Sequence, residues 1–142
     1  MKIRKATLKD FKSLRELNRE FFLWECEHDS RLNPGYAEKG ISVSLSKSLR
    51  NKNKALFIAT DKQPVGYCQV EIMTNPRFIK YEKRGHVANL FVTASHRGKG
   101  IGKELLERSL EWLNKKGIKD IKIMAHSNNK IALEIYTKKG FC

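Results

Sequence analysis

The run RGKGIGK, Arg97 to Lys103, places glycine at 98, 100 and 102 among basic residues, and an apolar helical pattern begins directly behind it. Residues of these types at this spacing can hold phosphate. Glycine lets backbone N–H groups approach a pyrophosphate with no Cβ in the way. A helix N-terminus adds donors without intrahelical partners and a partial positive charge, and Arg97, Lys99 and Lys103 add full charges. Two well-known phosphate patterns fail on named residues. A P-loop reads Gly, four residues, then Gly-Lys-Ser/Thr; with Gly102-Lys103 as its Gly-Lys, Arg97 stands where the first glycine belongs and Glu104 where the hydroxyl belongs. A dinucleotide fingerprint GxGxxG started at Gly98 meets Lys103, and started at Gly100 meets Leu105.

A second pattern lies downstream: Asn129-x-x-Ala132-x-x-x-Tyr136-x-x-x-Gly140-Phe141. Together with Arg97-x-x-Gly100-x-Gly102, set between a strand and a helix, it resembles the two signatures of the GNAT family of N-acetyltransferases. The strand Asn89–Val92 before the turn is similar too, and the element order matches over essentially the whole chain. The resemblance implies acetyl-coenzyme A as acetyl donor and no metal. It implies that Arg97, Gly98, Lys99, Gly100, Ile101, Gly102 and Lys103 surround the pyrophosphate. The backbone along Leu90, Phe91 and Val92 would pair with the pantetheine arm like an added strand. Asn129 is placed like a cofactor contact, and Tyr136 like the phenol that protonates the departing thiolate. The implied reaction is direct attack of an amine on the thioester, its carbonyl polarised by a backbone N–H near Leu90 to Val92. No covalent intermediate is needed, so Cys26, Cys68 and Cys142 are not nucleophiles. Many relatives carry a glutamate where this chain has Ala88 or Met124, neither of which accepts a proton. Glu71, His86 and His126 remain as proton acceptors, the latter two because imidazole in general titrates near neutrality, beside water relay or an amine that arrives neutral.

These residues need elements to position them. Thr7 with Asp10 reads as a capping box, and Leu8, Phe11, Leu14, Leu17 and Phe21 recur at helical spacing into the mid-twenties. Asn33-Pro34-Gly35 is a turn, and Ile41, Leu45 and Leu49 mark a second, shorter helix. Residues 55–60 and 65–72 are apolar strands around a turn at 61–64, a hairpin. A Lys/Arg-rich loop leads from Asn75-Pro76 to a strand at 86–92. After the glycine turn, Ile101, Leu105, Leu106, Ser109, Leu110 and Leu113 share one helix side, and Lys116-Gly117 ends it. A strand through Ile118, Ile121, Ile123 and Ala125 and a helix over 129–139 follow. The expectation is a single α/β domain over residues 1–142, a mixed and mostly antiparallel sheet flanked by helices, without the family's last strand.

The chain of 142 residues carries Lys+Arg 29 against Asp+Glu 15, a net charge of +14. That charge favours anionic ligands such as a polyphosphorylated cofactor. It is spread over the chain and joined to no recognisable nucleic-acid motif, so no specific nucleic-acid partner is expected. The cysteines, odd in number and without CxxC spacing, suggest neither a disulfide framework nor zinc. No apolar run is long enough to span a bilayer and the N-terminus lacks a secretory signal, so a cytoplasmic protein with no membrane partner is expected; dimers are common in the resembled family. A non-catalytic acyl-coenzyme A binding module is the alternative function. One acidic concentration stands out: Glu20, Glu25, Glu27 and Asp29, interleaved with Phe21, Phe22 and Trp24 and free of Lys and Arg between 20 and 29. Carboxylates beside aromatic rings suit a cationic, partly aliphatic acceptor, a small-molecule amine or a basic peptide.

Overall fold

The computed structural model describes residues 1–123. Its elements are β1 (Lys2–Lys5), α1 (Phe11–His28), α2 (Tyr36–Arg50), β2 (Lys54–Asp61), β3 (Gln63–Thr74), β4 (Lys83–Val92), α3 (Ile101–Lys115) and β5 (Asp120–Ile123), with 3-10 turns at Leu8–Asp10 and Ala94–His96. The strands form one five-stranded sheet in chain order, β1-β2-β3-β4-β5. The first three pairings are antiparallel, and β4 with β5 is parallel. The sheet is therefore mixed and mostly antiparallel, as expected.

Alternation along the strands sends side chains to two cores. On β2, Ala55, Phe57 and Ala59 join Leu105, Leu106 and Leu113 of α3. Their neighbours Leu56 and Ile58 join Leu14, Leu17 and Phe21 of α1 and Leu45 of α2. A strand buried on both faces reads as a continuous apolar run, which is why residues 55–59 show no polar alternation. The helix after the glycine turn buries Ile101, Leu105, Leu106, Ser109 and Leu113, as its periodicity predicts.

Differences from the expected elements have local causes. The capping box forms, with the Thr7 N–H donating to Asp10 Oδ2 at 2.9 Å and the Lys9 N–H to Thr7 Oγ1 at 3.3 Å. It caps a 3-10 turn rather than α1 itself, so Leu8 is carried out of the apolar stripe and is 51% exposed. Asp10 also takes a two-pronged bond from Arg4, at 2.8 and 2.7 Å, which ties β1 to the entry of α1. The second helix starts at Tyr36, a turn before its first periodic residue. The basic loop is shorter than expected, because β3 runs to Thr74 and β4 starts at Lys83. In β4 the pairing with β3 steps from Val87 to Asn89, leaving Ala88 as an extra residue, a β-bulge. The expected helix over 129–139 and the end of the expected strand at 118–125 lie outside the described residues.

Candidate functional site

The glycine turn sits where β4 hands over to α3. Gly98 and Gly100 have φ of +80° and +81°. A side chain there is strained by about 1–2 kcal/mol, although a Cβ would meet nothing within 4 Å at either position. Glycine is required by the backbone conformation, and the space a Cβ would fill faces outward. Gly100 is the N-cap of α3 and brings no capping side chain. The first N–H groups of the helix, which find no intrahelical acceptor, are left to an outside ligand. Ile101 and Gly102 are buried on the α3 core, while Lys99 and Lys103 are exposed. The turn thus offers backbone donors, the positive end of a helix of just over four turns and two exposed ammonium groups, a donor set that fits a pyrophosphate.

Arg97 is placed differently from a simple phosphate ligand. Its Nε donates to the Val92 carbonyl at 2.9 Å, and its guanidinium lies 5.7 Å from the Phe91 ring centroid. It braces the turn against the end of β4, and Nε is the nitrogen used, so the two terminal nitrogens remain on the outer side of the fork. A second brace comes from His96, whose Nε2 lies 3.2 Å from Asp61 Oδ2 and whose Nδ1 lies 2.9 Å from Ser95 Oγ.

The hydrogen-bond phase of β4 decides which backbone groups are available. The Thr93 N–H donates to the Val65 carbonyl at 2.8 Å, and Phe91 is opposite Tyr67 and Asn89 opposite Gln69. In an antiparallel ladder bonded pairs alternate with non-bonded ones, so Phe91 is spent on β3 while Leu90 and Val92 turn their N–H and C=O away from it. The Arg97 bond to the Val92 carbonyl agrees with that phase and occupies one of these groups. The pairing with β5 is recorded from Arg84 to Val87. The Phe91 ring belongs to the α1 core, stacked on Phe21 at 5.1 Å and 18°. Leu90 and Val92 point their side chains at α3.

On the opposite face, α1 and α2 enclose a cavity of about 200 Å³ above β3 and β4. Asn18, Phe21, Phe22 and Glu25 enter it from α1, at the i, i+3, i+4, i+7 spacing of one helix face. Tyr36, Ile41, Ser44 and Leu45 enter from α2, and Tyr67, Gln69 and Asn89 make the floor. Burial pushes the Tyr67 phenol well above its ordinary range, and the Glu25 carboxylate pushes it further, so the floor is a neutral phenol under an acidic wall. Of the acidic concentration, Glu25 alone lines the cavity. Glu20 and Glu27 are exposed, and Asp29 holds Arg31 at 2.9 Å.

One row further along the same face, three strands bring Lys54, Glu71 and His86 side by side. His86 Nδ1 lies 2.9 Å from Glu71 Oε1, and Lys54 Nζ lies 3.4 Å from Glu71 Oε2. A Cβ on the neighbouring Gly85 would meet Leu113 of α3, which confirms that His86 faces the α1–α2 side. His86 Nε2 is buried and has no hydrogen-bond partner among the described residues. This is the geometry of an imidazole oriented by a carboxylate, with its second nitrogen kept for another group.

Cys68 is fully buried, and burial pushes its thiol up to about 12, against a smaller opposing effect of Ser109. It stays a thiol at neutral pH. Among the described residues no group of His, Cys, Asp and Glu is placed to hold a metal ion, and no helix is long and apolar enough to cross a membrane. Asn129, Tyr136 and His126 lie outside the described residues. Sequence reasoning did not single out Asn18, Tyr36, Tyr67, Gln69 or Asn89. The Asn18–Phe22–Glu25 phase of α1 is the signal that would have separated Glu25 from its acidic neighbours.

The Acetyltransferase (GNAT) family model matches residues 11–141. The spermidine N(1)-acetyltransferase of Thermoplasma acidophilum is 25% identical, over 99% of this chain and 88% of its own. N-alpha-acetyltransferase 30 of Schizosaccharomyces pombe is 32% identical over 59 residues, 42% of this chain and 39% of its own. Among solved structures, the aminoglycoside N-acetyltransferase AAC(6')-Iy in complex with a coenzyme A bisubstrate analogue matches with a TM-score of 0.80 at 20% identity, over 99% of this chain and 90% of that one. At that identity the likeness is one of fold.

Proposed function

The chain belongs to the GNAT family and is an acetyl-CoA-dependent acetyltransferase, and on that premise we propose that its acceptor is a primary amine carrying a second positive charge, bound between α1 and α2. The observation that carries this reading is Glu25, a carboxylate set among Phe21, Phe22, Tyr36 and Tyr67 in the cavity above β3 and β4. A carboxylate and the faces of aromatic rings both favour a cation, and a partly enclosed site strengthens both. The cavity, about 200 Å³, is smaller than the roughly 300–1,000 Å³ of sites that take drug-sized ligands, which suits a slim aliphatic amine. The spermidine-acetylating relative fits the same reading.

On the cofactor side, Gly98 to Lys103 would hold the pyrophosphate through backbone N–H groups, with Lys99 and Lys103 outside it. Leu90 and Val92, turned away from β3, would present backbone groups to the pantetheine arm. Bound there, acetyl-CoA supplies the acetyl group as a thioester. The acceptor nitrogen forms the new C–N bond as the C–S bond breaks; the nitrogen gives up one proton and the sulfur takes one. Tyr136 is the proposed donor to sulfur. His86, held by Glu71, is the proposed proton acceptor, reached through water from the cavity floor at Gln69 and Asn89. Asn129 completes the proposed cofactor contacts.

The N-alpha-acetyltransferase relative makes a peptide N-terminus the second reading, over the two fifths of the chain that it covers. A turnover screen with acetyl-CoA decides between them. Diamines and polyamines should be acetylated with a higher kcat/KM than peptides or acidic amines. Glu25→Gln should raise the KM for a diamine and leave that for acetyl-CoA unchanged. A preference for peptides, or a Glu25→Gln enzyme identical to the parent, would reject the charged-acceptor reading.

A further inference from the structure

The α2 side of the acceptor cavity is built around an unusual contact. Gly40 lies within α2, where glycine costs about 1 kcal/mol relative to alanine. A Cβ at Gly40 would lie 2.7 Å from Cγ of Tyr36 and closer still to Cδ2 and Cε2. The Tyr36 ring therefore lies flat along its own helix, in the space that any other residue at position 40 would fill. From there it reaches the Phe22 ring across the gap between α2 and α1, with centroids 5.4 Å apart and planes at 57°. Both rings line the cavity, next to Glu25. Tyr36 is 46% exposed, so this aromatic pair forms the rim while Tyr67, almost fully buried, forms the floor.

We infer that Gly40 is a specificity-determining position: by seating Tyr36 against Phe22 it narrows the cavity mouth to the width of an unbranched methylene chain, so that the enzyme takes straight-chain diamines and excludes ring-bearing ones. The inference rests on the cavity between α1 and α2 being the acceptor site. The two rings, already in contact with each other, would form one wall along which the methylenes of the chain lie while its far ammonium lies against Glu25. The glycine that makes this possible is a helix-weakening choice with no turn or positive φ to explain it. Its fit to the Tyr36 ring supplies the explanation.

The test compares the parent with Gly40→Ala, Tyr36→Phe and Tyr36→Ala, using 1,4-diaminobutane, 4-amino-1-butanol and 1,4-diaminocyclohexane as acceptors. The ratio of kcat/KM for the straight to the cyclic diamine reads the width of the mouth. The ratio for the diamine to the amino alcohol reads the charge recognised at Glu25. Parent and Tyr36→Phe should favour the straight diamine. Gly40→Ala and Tyr36→Ala should lower the straight-to-cyclic ratio roughly 10-fold, the scale of one methylene in an apolar pocket, with the KM for acetyl-CoA unchanged. Alanine is the better helix former, which offsets part of the loss of the Tyr36–Phe22 contact, and melting temperatures measured beside the kinetics separate a loss of selectivity from unfolding. An unchanged straight-to-cyclic ratio in both variants overturns the role of Gly40 and Tyr36. A parent that does not distinguish diamine from amino alcohol overturns the charged-acceptor reading instead, and leaves the width ratio to be judged by itself.

Discussion

Two side chains divide the proposed proton transfers. Tyr136 is assigned the proton that sulfur receives, so Tyr136→Phe should lower kcat by roughly 10²-fold or more, the usual worth of an acid–base group. Acetyl-CoA affinity should stay within about twofold, since one hydroxyl is lost and little volume. Steady-state kinetics beside calorimetric binding of acetyl-CoA would show both, and a variant with parental kcat would remove the assignment. His86 is assigned the proton that nitrogen loses. His86→Ala should cost a comparable factor in kcat, and Glu71→Gln a smaller one, because the amide can still orient the ring while losing its charge. If the two substitutions leave kcat unchanged, the amine reaches the site neutral or gives its proton to water. Tyr136, Glu71 and His86 were each named from the sequence, but the pairing of the last two was not legible there. The histidines are scattered along the sequence, and it is the register Glu71 opposite His86 that pairs one of them with a carboxylate.

Elements carry the next set of consequences. α3 and its glycine turn were legible because two independent signals coincide, a glycine run that stops a strand and an apolar stripe that starts a helix. The physical demand at Gly100 differs from the one anticipated. Its φ of +81° makes any side chain strained, while the Cβ itself would project into open space, where the pyrophosphate is proposed to lie. Gly100→Val should therefore lower the melting temperature slightly, by the equivalent of about 1–2 kcal/mol, and weaken coenzyme A binding in the folded protein. Equal calorimetric affinity would show that the turn is not the phosphate site. The start of α2 was not legible, because Tyr36 to Gly40 has no apolar periodicity and glycine reads as a breaker. The bulge at Ala88 was not legible either, since nothing in HVANLFV interrupts an ordinary strand. At the entry of α1, the hydrogen bonds from Arg4 hold the Asp10 carboxyl below its usual range, against the opposing effect of burial. A carboxyl depressed in the folded state stabilises the fold above its unfolded pKa, near 3.9, and that stabilisation is lost as the pH falls through the folded value. Asp10→Asn should cost about 1 kcal/mol at neutral pH, the typical worth of a cap. The difference in melting temperature between parent and variant should shrink below about pH 4.

The molecule as a whole carries +14, and its proposed donor substrate is a polyanion. Exposed charges act over about 10 Å at 0.1 M salt and about 3 Å at 1 M, so the KM for acetyl-CoA should rise severalfold across that range. The KM for a cationic acceptor should rise less, because the overall field repels it and only Glu25 attracts it locally. A donor KM independent of salt would confine the charge to a role in solubility. The chain-order sheet has a consequence for how the protein assembles. β2, β3 and β4 are joined by two short reversals and can pair by closing small loops, which is fast. β5 can join only after α3 has crossed the sheet to lie parallel to β4. The floor of the proposed acceptor cavity is thus finished by early, local steps, whereas the glycine turn takes its shape only when the crossover docks. Amides of β2 and β3 should accordingly outlast those of β5 in native-state hydrogen exchange, and coenzyme A should slow exchange chiefly in the crossover, the part of the chain that folds last and opens first.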